Sequence, residues 1–219
     1  MSELGRRPVD AREMNKKALS FLGVILILVG AALVGHYGYG VFYARVHQGR
    51  LMAEAQASYE NPVLDDDFRP PATRLPEERP RETLPVDEGP FVISIPKLEV
   101  EAAVLDGVEL SVLAQGPGFY PDTPRPGQDG NVAVAGHRTT YGAWFRNVDR
   151  LEAGDTIIFT SARGTYTYLV EDVFAVASNA WEVVAPTEEP KLTLTTCHPP
   201  GSASQRLVVR AGLEDVEPR

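Results

Sequence analysis

The sequence predicts an all-β domain, a barrel or a sandwich, hung from one N-terminal membrane helix. Three observations carry this. From about Phe91 the chain breaks into short β-type runs punctuated by turns, with few stretches suited to a helix. Well ahead of them lies an apolar segment with no acidic or basic residue. Between the two, a Pro-rich acidic stretch lacks any apolar periodicity.

Residues 1–20 read as a basic tail. Within 1–19, Arg6, Arg7, Arg12, Lys16 and Lys17 stand against Glu3, Asp10 and Glu13, a balance of +2. The chain as a whole carries −9, so the remainder carries −11. That acidity argues against a nucleic-acid partner held through phosphates. Residues 21–44, FLGVILILVGAALVGHYGYGVFYA, hold no Asp, Glu, Lys or Arg in 24 positions. This is long enough to cross a bilayer as a helix. Tyr37, Tyr39, Phe42 and Tyr43 suit an interfacial aromatic belt. No small-residue cleavage site follows a short apolar core, so an uncleaved anchor in the cytoplasmic membrane is expected, not a removed signal peptide. The basic flank stays in the cytoplasm, which places the rest of the chain outside.

Residues 45–89 read as an extracytoplasmic tether. Leu51–Ser58 extends a short helix from the membrane. Asn61–Pro85 then holds six prolines and the run Asp65-Asp66-Asp67. Seven strand candidates follow: 91–95, 99–104, 131–136, 155–161, 165–176, 191–197 and 206–212. Ala162-Arg163-Gly164 suggests a hairpin turn between two of them. Short helical stretches fit at Val108–Gln115 and Gly142–Val148.

Cys197 is the only cysteine, so it has no internal disulfide partner. A lone thiol often serves as a small buried apolar group. Here it ends the strand candidate KLTLTTC and meets a Pro-rich loop, where side chains leave the core. Outside the membrane a free thiol is a liability, and its retention hints at use. His137 follows the strand NVAVAG, and Arg206 opens RLVVRAG. Three strand ends can converge on one barrel rim. Taken singly, His137 can just as well bond a neighbouring carbonyl and Arg206 can be a surface charge. Together they are the types acyl transfer needs. A thiolate attacks a carbonyl, a histidine shuttles protons, and a fixed guanidinium stabilises an oxyanion. His198 adjoins Cys197, but neighbouring strand residues face opposite sides, which argues against it as the shuttle. One cysteine with scattered histidines gives no zinc spacing, and no calcium-type carboxylate cluster stands out. No metal or other cofactor is expected.

NVAVAGHRTTYG (131–142) and KLTLTTCHPPGSASQR (191–206) resemble the two signature segments of sortases, the membrane-bound transpeptidases of Gram-positive bacteria. The family pattern is a His after a strand, a TLxTC strand end and an Arg opening the next strand. Here these fall on His137, Thr193–Cys197 and Arg206. Ile95-Pro96-Lys97-Leu98 resembles the first-strand signature. TLTTCHP with GHRTTYG is most similar to class E, the housekeeping type of high-GC actinobacteria. Class D, which shares the Cys-x-Pro step, is the nearest rival.

The resemblance implies a closed eight-stranded β-barrel with short helices over residues 90–213, leaving 214–219 as a C-terminal tail. It implies that Cys197 attacks the Thr carbonyl of a C-terminal LAxTG-like or LPxTG-like sorting signal on a surface protein. Gly leaves, and an amine of a peptidoglycan precursor resolves the thioester. Tyr120, in the loop GPGFYPDTPRPG, resembles a class E tyrosine that bonds the peptide near its second residue; it can equally be a packed loop aromatic. Thr196 is a further candidate for an oxyanion contact. Other readings stay open: a pilus-polymerising sortase, an L,D-transpeptidase (whose Ser-x-Gly-Cys setting is absent), or an anchored binding module without activity.

Overall fold

The computed structural model describes residues 11–60 and 90–219. The first half of the tail and the Pro-rich part of the tether lie outside these. The chain forms two compact units, residues 1–39 and 40–219.

In the first unit, helix α1 (Ala11–Glu60) begins. Its apolar side chains stand outward, with Phe21 69%, Leu28 63% and Val34 74% exposed. Residues 19–58 form one helix long and apolar enough to cross a membrane. A helix apolar all round suits a lipid surrounding rather than water.

The second unit holds the rest of α1 and a closed barrel. Its strands are β1 (Phe91–Ile95), β2 (Val100–Asp106), β3 (Gly118–Phe119), β4 (Asn131–Ala135), β5 (Thr156–Thr160), β6 (Gly164–Ala177), β7 (Lys191–His198) and β8 (Gln205–Pro218). They close in the order β1-β2-β3-β4-β7-β8-β6-β5. The expected all-β barrel is therefore present, with all eight strands. The seven strands read from sequence are all found. The eighth, β3, is two residues long and too short to show a period of two. Ser161–Gly164 turns β5 into β6 as expected, with the Ser161 N–H donating to the Gly164 carbonyl at 2.9 Å. Helix α2 shrinks to Leu110–Leu113. The expected helix at 142–148 is absent: Tyr141 and Ala143 take left-handed φ values of 53° and 46°, which break a right-handed helix. Residues 214–218, expected as a tail, continue β8 and pair with β6 as far as Gly164↔Pro218.

Alternation explains the core. On β5 only Ile157 and Phe159 are buried, and on β6 alternate residues from Gly164 to Val170 are buried. Phe91, Phe119, Phe159 and Tyr168 meet edge to face, with ring centroids 5.3–5.9 Å apart. Truncating Phe159 to alanine would cost about 3–5 kcal/mol by the usual scale for such rings.

One edge of β2 needs a partner. β3 pairs only with Leu105 and Asp106, so Ala103 has no strand on that side. Gln48 of α1 fills the gap. Its Oε1 accepts the Ala103 N–H at 2.9 Å and its Nε2 donates to the Ala103 carbonyl at 3.0 Å. The amide acts as one rung of a β-ladder, and Gln48 is 3% exposed. Gly116 is required opposite: a Cβ there would sit 1.9 Å from Gln48 Nε2. Ala44 and Ala55, also fully buried, give this part of α1 the same inward face.

Gln48→Ala leaves a buried N–H and carbonyl unpaired, which typically costs about 1–3 kcal/mol. The full chain in detergent should melt a few degrees lower, and hydrogen exchange at Ala103 should accelerate. Gly116→Ala should do the same by displacing the amide. Unchanged protection at Ala103 in both variants would refute the ladder role.

Candidate active site

The site stands where β4, β7 and β8 end side by side. β4 and β7 run parallel, with Val134 opposite Leu194 and Ala135 opposite Thr195. The contact persists past the last rung: the Gly136 N–H donates to the Thr195 carbonyl at 3.0 Å. His137 and Cys197 each lie two residues beyond the last paired positions. Parallel strands sit about 4.8 Å apart, so equal steps bring the two side by side. β8 runs antiparallel to β7 and places Arg206 opposite Cys197.

Side-chain parity settles which face they share. Val132 and Val134, Leu192 and Leu194, Leu207 and Val209 all enter the barrel core. Cys197 on β7 and Arg206 on β8 have the other parity, so they face outward on one surface. His137, two residues past Ala135, continues the outward parity of β4. The closest approach is explicit: Arg206 Nη1 lies 4.0 Å from Cys197 Sγ. Bonds from the same nitrogen to the carbonyls of Ala203 (3.3 Å) and Gln205 (3.2 Å) hold the guanidinium at this strand start.

His137 is half-buried, and burial pushes its pKa below the ordinary 6.5, favouring the neutral base. Its Nε2 is buried without a hydrogen-bond partner among the described residues. An orphan imidazole nitrogen is costly in a merely structural histidine and useful in one that handles protons. The Tyr141 ring leans over the imidazole, with centroids 5.3 Å apart. Gly136 admits the Phe145 ring, which a Cβ would approach to 2.6 Å. The Phe145 N–H in turn donates to the His137 carbonyl at 3.2 Å. The loop after β4 is thus wound back on the residue it presents.

Tyr120 follows β3, and its N–H bonds the Ala133 carbonyl at 3.0 Å. Its hydroxyl is 3.1 Å from Thr195 Oγ1, two residues before Cys197 and on the same face. Thr196 has the opposite parity. It is 3% exposed, and its hydroxyl donates to the Gly136 carbonyl at 2.7 Å. That hydroxyl therefore ties β7 to the His137 loop and is directed away from an oxyanion at Cys197.

The residue that sequence reading passed over is Arg138. It is 3% exposed, pairs with Asp149 at 3.0 Å and reaches His198 Nδ1 at 2.8 Å. A charged residue directly after His137 was visible; its burial was not. Among the described residues no cluster of three His, Cys, Asp or Glu side chains is placed to hold a metal.

Residues 93–214 match the Sortase domain family. The chain is 30% identical over 209 residues to Sortase SrtE2 of Streptomyces coelicolor, spanning 88% of this chain and 81% of that protein. Among solved structures, sortase E from Streptomyces avermitilis is similar at 37% identity and a TM-score of 0.54, covering 58% of this chain and 89% of its own. Sortase E1 from Streptomyces coelicolor, solved with a tripeptide in its active site, is similar at 26% identity and a TM-score of 0.56, covering 60% and 91%. With a thiol, an imidazole and a guanidinium at three adjoining strand ends of a closed barrel, the chain belongs to the sortase family of cysteine transpeptidases, which anchor proteins to the cell wall.

Proposed function

We propose that this protein is a class E sortase, anchored with its N-terminus in the cytoplasm and its barrel outside. The observation that carries the mechanism is Arg206 Nη1 at 4.0 Å from Cys197 Sγ, with His137, whose Nε2 has no hydrogen-bond partner among the described residues, one strand away. Cys197 is the nucleophile. His137 takes the thiol proton, and the sulfur attacks the Thr carbonyl of a sorting signal. A C–S bond forms and the carbonyl electrons move to oxygen, where Arg206 donates hydrogen bonds. The intermediate collapses, the C–N bond breaks, and His137 gives its proton to the departing Gly amine. A peptidoglycan-precursor amine then attacks the thioester, loses a proton to His137 and expels the sulfur. Similarity to sortase E enzymes supports the class, and the tripeptide in the active site of a relative supports a peptide substrate.

Cys197→Ala should abolish cleavage of an LAxTG peptide and thioester trapping while leaving the barrel folded. His137→Ala should cost about 10²–10⁴-fold, and Arg206→Ala about 10²–10³-fold. Protonated His137 cannot accept the thiol proton, so kcat/KM should fall as pH drops through its lowered pKa, on the acid side of 6.5. Substantial turnover by Cys197→Ala, or an acid limb centred above 6.5, would count against these roles.

The orientation rests on the basic residues between Arg6 and Lys17. Protease shaving of wall-stripped cells should digest the C-terminal barrel and spare the first 20 residues. A protected barrel would reverse the topology.

Tyr120 is the proposed specificity residue, since its hydroxyl is held beside the nucleophile strand. A substrate Ala offers an N–H that a Pro lacks. One neutral hydrogen bond contributes about 0.5–1.5 kcal/mol, so LAxTG should be favoured over LPxTG several-fold. Tyr120→Phe should erase most of that preference. An unchanged kcat/KM ratio would return Tyr120 to a packing role, and a wild-type preference for LPxTG would count against class E.

A further inference from the structure

The parallel register ends at Ala135↔Thr195; carried two residues further it sets His137 beside Cys197, and carried three it sets Arg138 beside His198. On β7, His198 faces the side opposite to Cys197, so a contact made to it lies behind the nucleophile. It is a direct contact. Arg138 Nη1 is 2.8 Å from His198 Nδ1. A guanidinium has no lone pair to offer, so it donates and Nδ1 accepts. That leaves the His198 proton on Nε2 and its Nδ1 committed.

The remaining contacts of Arg138 run across the same gap. Nη1 also reaches the carbonyl of Cys197 itself at 3.4 Å. On the other side, Nε donates to the Arg146 carbonyl at 3.4 Å and Nη2 meets the Asp149 carboxylate at 3.0 Å. One buried cation thus joins the nucleophile's peptide unit to the loop that carries His137. Stability alone is a weak reason for such a group: Asp149 is 47% exposed, and an ion pair with one partner in solvent contributes little.

We propose that Arg138 and His198 are a positioning pair: from behind the sheet they staple the end of β7 to the His137 loop and set the approach of His137 to Cys197. This rests on the reading of Cys197 as nucleophile and His137 as proton carrier. Neither residue touches substrate in this role. A misplacement of about 1 Å can cost roughly 10²-fold in rate, so loosening the staple should act on kcat.

The test uses the full chain in detergent, a self-quenched LAxTG peptide and a small amine acceptor. Rates are expressed per folded enzyme, with the folded fraction of each variant read from its thermal unfolding transition. Arg138→Met should lower kcat about 10–100-fold with KM within about twofold. His198→Phe, which removes the acceptor, should lower kcat about tenfold, far less than loss of His137. His198→Gln, whose Oε1 can accept from Arg138, should recover most of that loss. The double variant Arg138→Met/His198→Phe should be no slower than Arg138→Met, because the two act as one unit. The pH profile of iodoacetamide alkylation at Cys197 should shift in both single variants, since it reads the surroundings of the thiol without any peptide. If Arg138→Met does not fold, the comparison of Phe with Gln at half-exposed His198 decides. Wild-type kcat per folded enzyme in His198→Phe, failure of Gln to rescue, or losses that multiply in the double variant would each overturn the staple. Turnover by Cys197→Ala would instead overturn the reading beneath it, so the two failures are distinct.

Discussion

The parallel pairing of β4 with β7 is the constraint on which the site depends. It joins segments 60 residues apart, with Ala135 opposite Thr195, and decides what stands beside the thiol. Side chains on a strand alternate, so a slip of one residue would move one partner to the wrong face. His137 would no longer meet Cys197, and Arg138 would turn toward the front. The chemistry tolerates no such slip, and polar groups guard against it at both ends of the pairing.

At the far end, buried Asn131 and Thr193 do this. Thr193 Oγ1 donates to Asn131 Oδ1 at 2.8 Å, and Asn131 Nδ2 donates to the carbonyls of Val183 and Ala185 at 3.0 and 3.1 Å. These bonds exist in one register only, and breaking them would strand buried polar atoms. At the near end, Thr196 to Gly136 and Arg138 to His198 span the same two segments. Between them lie apolar rungs such as Val134 and Leu194, which supply burial but accept any register of equal parity.

Gln48 applies the same logic to a different edge. A side-chain amide offers both N–H donors and a carbonyl acceptor, as a peptide unit offers one of each, so it can complete a ladder that no strand reaches. The segment leaving the apolar part of α1 is therefore seated on the catalytic barrel by hydrogen bonds, with Ala44 and Ala55 small enough to allow close approach. A tether read as a spacer begins, in the folded protein, as a structural element of the domain it carries.

Much of this protein is determined locally and can be read from residues in order. A charge-free run of 24 residues has one inexpensive environment, which makes the anchor legible. Alternating apolar positions bounded by turns expose seven strands, and the residue types at His137, Cys197 and Arg206 name a chemistry. What depends on distant partners is decided only by the fold. β3 exists because β2 and β4 flank it, not through any preference of Gly118 and Phe119. The tail beyond Leu213 becomes strand because β6 is long enough to pair with it. The hydroxyl of Thr196 is used up by a carbonyl 60 residues away, and Arg138 is drawn into the interior by Asp149 and His198. Residue type sets what a side chain can do; tertiary pairing sets what remains free to do it, because buried polar groups must find partners wherever the chain brings them.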